Sequence, residues 1–208
     1  MRLQRPVLLV VGGVAVALLI GTVLNLSRLS AASGLPEYRL SPEGDAEILH
    51  LAWHGGMRRY AVQYRLFGDG RLVREVVAQA QRDESLRADE VRLEEEDIRL
   101  LFEAIVRGGL PTATTERLLE ATDGIRLSQP KDGATVILRL DFAAYETAGG
   151  AEAPFRPQVV VPSPHTQARR FPEVRELDAL VAVLDALDAY FLQTAYEAID
   201  EVDDRRRQ

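Results

Sequence analysis

Residues 7–26 read VLLVVGGVAVALLIGTVLNL, an apolar run without a single charge, preceded by Arg2 and Arg5. About 20 residues rising 1.5 Å each span roughly 30 Å, the thickness of a bilayer's hydrocarbon core. Inside lipid, backbone amides must be satisfied within their own segment, so such a run is a helix. Asn25, Ser27 and Arg28 close it. Two arginines and the terminal amine lie ahead of the run, and only Arg28 and Arg39 lie near its far end. That bias keeps residues 1–6 in the cytoplasm and sends residues 27–208 across the cytoplasmic membrane, into the periplasm or the extracellular space. The alternative is secretion after signal-peptide cleavage near Ala32, with Ser30 and Ala32 as the small residues before the cut. The run is long for that role, since signal cores hold about 7–15 apolar residues. Either route exports the rest of the chain.

Gly13, Ala17 and Gly21 recur at every fourth position of the run and share one face of the expected helix. Small residues at that spacing let two membrane helices approach closely. The expected partners are therefore the bilayer, through residues 7–26, and an envelope protein or a second copy of the chain. Nucleic acid is a poor partner, because the formal net charge of −7 repels phosphates. Cysteine is absent, which removes disulfides, thiolate metal sites, thiol nucleophiles and lipidation at the export junction.

Residues 27–45 are rich in Ser, Gly and Pro without apolar periodicity and read as a flexible tether, with Leu35, Tyr38 and Leu40 able to touch the domain that follows. That domain, residues 46–204, ends in a basic tail, 205–208. Its first segments alternate with period two, Leu49, Leu51 and Trp53 against His50, Ala52 and His54, then Tyr60, Val62, Tyr64 and Leu66 against Arg59, Gln63 and Arg65. Gly55-Gly56 and Gly68-Asp69-Gly70 supply the turns, so 46–54, 59–67 and 71–80 form an antiparallel meander. The charged stretch 81–92 reads as an exposed excursion. A helix follows over 94–107, with Ile98, Leu101, Phe102, Ile105 and Val106 on one face, acids in its first turn and Gly108-Gly109 at its end. A short helix fits 115–121. A second hairpin, 124–128 with 134–144, turns at Pro130-Lys131-Asp132-Gly133, and Gln158 to Val161 adds an edge strand. From Pro172 a long helix carries the stripe Leu177, Leu180, Val181, Leu184, Leu187, Phe191, Ala195 and Ile199, and its acidic end is expected to project or fray. The fold class is α+β: an antiparallel sheet, meander plus second hairpin, packed by two main helices and preceded by one transmembrane helix.

The chemistry-bearing residues assemble into no recognisable catalytic, metal or cofactor motif. His50 and His54 are roughly 13 Å apart on one strand face, too far to share a metal ion. No serine elbow, dinucleotide fingerprint, phosphate loop or calcium loop is present. The dense carboxylates, Glu94 to Asp97 and Glu197 to Asp204, sit at expected helix ends. Two loops, 147–156 and 162–172, combine arginine with aromatic residues, as interface hot spots do, and supply Phe155, Arg156, His165, Arg169, Arg170 and Phe171 as interaction candidates. The competing expectation is that their aromatic rings tuck into the core.

The segment Leu51-Ala-Trp-His-Gly-Gly56, followed by Tyr60-Ala-Val-Gln-Tyr64 and Asp69-Gly70, resembles the emfourin-type domains. These are small α+β proteins, some of which inhibit metalloproteases. The order of elements over residues 46–190 is also similar, whereas the apolar N-terminal run and the long closing helix depart from that pattern. The leading expectation is a single-pass, membrane-anchored protein with a non-enzymatic exported binding domain. A protease-inhibitor-like module is the alternative the resemblance implies. A hydrolase with an unrecognised carboxylate site is the third reading.

Overall fold

The computed structural model describes residues 35–55, 60–78, 85–121, 133–146 and 150–207. The apolar run, with Gly13, Ala17 and Gly21, lies outside the described residues, as do the arm 124–128, most of its turn and the first residues of the 147–156 loop. Among the described residues, no helix is long and apolar enough to cross a membrane.

Among the described residues the fold is mixed α+β with antiparallel sheets and four helices. Strands β1 (Tyr38–Leu40), β2 (Glu47–Gly55), β3 (Tyr60–Phe67), β4 (Arg71–Ala78) and β5 (Ser85–Arg92) precede helix α1 (Glu95–Arg107). After a short 3-10 turn at Leu110–Thr112 come α2 (Thr115–Ala121), β6 (Ala134–Leu140), β7 (Phe142–Glu146), β8 (Glu152–Phe155) and β9 (Gln158–Pro162). Helices α3 (Pro164–Arg170) and α4 (Arg175–Arg207) complete the chain. One sheet has the order β5-β4-β3-β2-β6-β9 and the other β1-β7-β8.

The meander forms as its alternation dictates, with Leu51 opposite Tyr64 and Tyr64 opposite Arg74. The charged stretch after it is not an excursion. Residues 85–92 pair with β4 as the edge strand β5, and Arg74 meets Asp89 directly across the ladder at 2.7 Å. Main-chain pairing does not depend on side chains, and charge on an edge strand discourages association with other chains. The second hairpin is also redrawn. β6 inserts between β2 and β9, and at Asp141 the chain leaves the large sheet for the small one, the Asp141 amide donating to the Ile48 carbonyl at 3.0 Å.

The stretch 27–45 is not wholly a tether, because residues 38–40 form β1 against β7. Leu35, Tyr38 and Leu40 all pack against the core. The 162–172 loop likewise contains α3, seven residues that start at Pro164, where the fixed φ of proline suits a first helical turn.

One hydrophobic cluster joins the layers. The inward row Leu49 and Leu51 of β2, Val136 and Leu138 of β6, and Val159 and Val161 of β9 meets Leu101, Phe102 and Ile105 of α1 and Leu177, Leu180, Val183, Leu184 and Leu187 of α4. Helix α4 begins at Arg175, three residues after Pro172, and its backbone runs helically through Arg207. Toward the β3–β5 side its contacts turn polar: the Tyr64 hydroxyl donates to Asp188, and the Arg74 guanidinium lies 4.5 Å from the Phe191 ring centroid.

Candidate functional site

Among the described residues, all four helices contribute side chains to the core cluster, which draws on one face of the six-stranded sheet. The opposite face carries His50, Ala52 and His54 from β2, Ala61, Gln63 and Arg65 from β3, Ile137 and Arg139 from β6, and Gln158 and Val160 from β9. None of these belongs to the cluster. Register brings them into rows. His50 faces Arg65 on one side and Arg139 on the other, and Arg139 faces Gln158. The next row is Gln63, Ala52, Ile137 and Val160.

Ala52 is small between larger neighbours, and a cleft of about 200 Å³ opens above it, walled by His50, His54, Gln63, Ile137 and Arg139. A second cleft of about 200 Å³ lies beyond His50, walled by Glu47, Arg139, Asp141, Arg156 and Gln158. His50 and Arg139 line both. Each cleft is below the roughly 300–1,000 Å³ typical of small-molecule pockets.

Charge runs along the row in pairs. Glu47 accepts from Arg65 at 2.6 Å and lies 3.3 Å from His50 Nδ1. Asp141 accepts from Arg156 at 2.9 Å. Arg139 donates through Nε to Gln158 Oε1 at 3.0 Å, and among the described residues it has no carboxylate partner. His50 Nε2 is sealed from solvent and has no hydrogen-bond partner among the described residues.

The His50 pKa is lowered, chiefly by burial, with Arg139 and Arg65 adding to the effect and Glu47 and Gln63 opposing it. A linkage follows. Unfolded histidine titrates near pH 6.5, the folded one below that, so the unfolded state binds the extra proton first. Stability from this group is complete above about pH 6.5 and declines as pH falls toward the folded pKa. Urea midpoints of His50→Gln are expected to fall less steeply than wild type between about pH 6.5 and 5. Equal slopes would remove His50 from the acid sensitivity of the fold.

The two candidate loops do not come together as one surface. Arg156 and His165 flank opposite ends of β9, whose five residues span roughly 16 Å. Phe155 stacks on Tyr145 with centroids 5.2 Å apart, and Phe171 is buried, so both rings join the core. His165 lies 5.9 Å from the Trp53 ring. Arg169 donates to the His165 carbonyl and the Arg170 guanidinium sits over Phe171. Of the six, only Arg156 reaches the clefts. Sequence reasoning did not single out Glu47, Arg139, Asp141 and Gln158. Arg139 falls in the arm 134–144, but no local signal showed that β6 pairs with β2.

Among the described residues, no group of three or more His, Asp or Glu side chains could hold a metal ion. No family model matches the chain, and no curated protein matches it.

Proposed function

We propose that this chain is a single-pass membrane protein whose exported, non-enzymatic domain binds another envelope protein across the face of its six-stranded sheet that none of the described helices covers. Residues 7–26 anchor it as an uncleaved helix with residues 1–6 in the cytoplasm, and Gly13, Ala17 and Gly21 offer a face for close helix packing. The observation that carries the reading is the asymmetry of the sheet. One face is buried under the helices. The other combines Ala52, Ile137 and Val160 with Arg65, Arg139 and Gln63 around two shallow clefts. Apolar area bordered by arginine and amide groups is the composition of a protein-binding surface.

Two measurements test it. A phosphatase reporter that is active only outside the cytoplasm, fused after Gln208, is expected to be active, and a reporter that fluoresces only in the cytosol is expected to be dark. The reverse pattern ends the proposal. A photo-reactive residue in place of Gln63 is expected to cross-link a defined envelope protein, whereas one in place of the exposed Glu116 on α2 is not. Stoichiometric capture of a protease would instead favour the inhibitor that the emfourin resemblance implies.

A further inference from the structure

The geometry points to a carboxylate-binding subsite at the junction of the two clefts, where Arg139 receives an acidic side chain of the partner protein that lies on this sheet face. The inference rests on the proposed function and names the chemistry its partner must present. Among the described residues of this row and the clefts beside it, each arginine but one has its counter-ion: Arg65 has Glu47, and Arg156 has Asp141. Burial disfavours the charged form of His50, with Glu47 opposing that effect. Arg139 stands between these pairs, opposite both His50 and Gln158, and among the described residues its partner is the neutral amide of Gln158. The row therefore carries three guanidinium groups against two carboxylates, in a protein whose formal net charge is −7.

The contact to Gln158 also sets the orientation. With Nε committed to Gln158 Oε1, the terminal amino groups of the guanidinium keep their N–H donors for a ligand. A planar fork of that kind suits a carboxylate held through two parallel hydrogen bonds. Because Arg139 lines both clefts, a side chain reaching it leaves room on either side for the partner's flanking residues. Glu47 and Asp141 also line the second cleft, but their existing arginine partners offset the repulsion they would exert on an incoming anion.

The test uses the full chain in detergent micelles, titrated calorimetrically with hexaglutamate, and with hexalysine as the charge control. Hexaglutamate is expected to bind saturably and hexalysine not to bind. Arg139→Gln should weaken hexaglutamate by about tenfold or more, the scale of one charge-assisted contact. Arg139→Lys, which keeps the charge but loses the fork, should recover only part of that loss. Arg170→Gln, whose guanidinium lies over Phe171, should leave binding unchanged. Arg139 is exposed, so the unfolding midpoint of its variants should match wild type and separate lost binding from lost fold. Absence of saturable binding, or equal losses in the Arg139 and Arg170 variants, overturns the subsite. If the Gln63 cross-link forms while Arg139→Gln binds hexaglutamate as wild type does, the subsite fails and the sheet-face reading stands. If the Gln63 cross-link itself never forms, the sheet-face reading fails.

Discussion

Phe102→Ala should cost about 3–5 kcal/mol of unfolding free energy, the range for removing a large aromatic side chain from a packed core. Phe102 is fully buried on α1. Its ring stacks on Tyr38 of β1 with centroids 6.5 Å apart and meets Phe142 of β7 edge-on at 5.8 Å. Tyr38 and Phe142 also meet edge-on at 5.9 Å, so three rings from three elements close on one another. Truncating the middle ring removes its own burial and leaves both neighbours facing a void that the sheet backbones cannot collapse to fill. Phe102→Leu keeps most of the volume and should cost less than half as much. Chemical denaturation of the purified protein reads both values. A loss below about 1.5 kcal/mol for the alanine variant, the usual limit for mere volume-conserving swaps, would mean that α1 does not clamp the small sheet.

Gly68→Ala is the second large effect, on the order of 3 kcal/mol. Gly68 opens the β3–β4 turn, and its amide donates to the Ala46 carbonyl at 2.9 Å. A methyl group there would lie 2.6 Å from the Ser41 carbonyl oxygen and closer still to that of Glu43. Both are main-chain atoms, so no rotamer change relieves the overlap. The connector between β1 and β2 would have to lift from the turn. Gly44→Ala is the matched control. Its added methyl meets only the Asp69 side chain, at an ordinary 3.5 Å, and the change should stay within about 0.5 kcal/mol. Similar losses for both glycines would show that residues 41–43 are not pressed against the turn.

These two experiments probe the stretch that sequence patterning described least well. Residues 35–45 have no apolar period, because the contacts that place them are made to distant elements: Tyr38 to Phe102 and Phe142, the Glu37 amide to Glu146, Ser41 and Glu43 to Gly68. Three isolated residues of β1 cannot register as a strand until β7 is beside them. By contrast, α1 was legible from its own residues. The acids at 95–97, the stripe through Leu101, Phe102, Ile105 and Val106, and Gly108-Gly109 all act within a few turns of chain.

The misreadings have the same origin. Residues 85–92 look like solvent-exposed chain because an edge strand carries charge, and their pairing with β4 is made by the backbone. Residues 164–170 are too short to show a helical period between prolines. For the candidate site, the alternation correctly set His50 and His54 apart from Leu51 and Trp53. It did not reveal that β6, more than 80 residues later, would bring Arg139 beside His50.

What the sequence determined by itself was local. It defined the apolar run and the export direction expected from it, the meander, the stripes of α1 and α4, and the acidic, cysteine-free character of the domain. Each follows from side chains within one or two turns of their neighbours, where period and charge act directly. The tertiary structure alone decided which strands became neighbours, which sheet face the described helices covered, and hence that Arg139 of the opposite face has no carboxylate partner among the described residues. Strand pairing between distant segments is selected by the packing of the whole core rather than by either segment, so that information exists only once the chain has closed on itself.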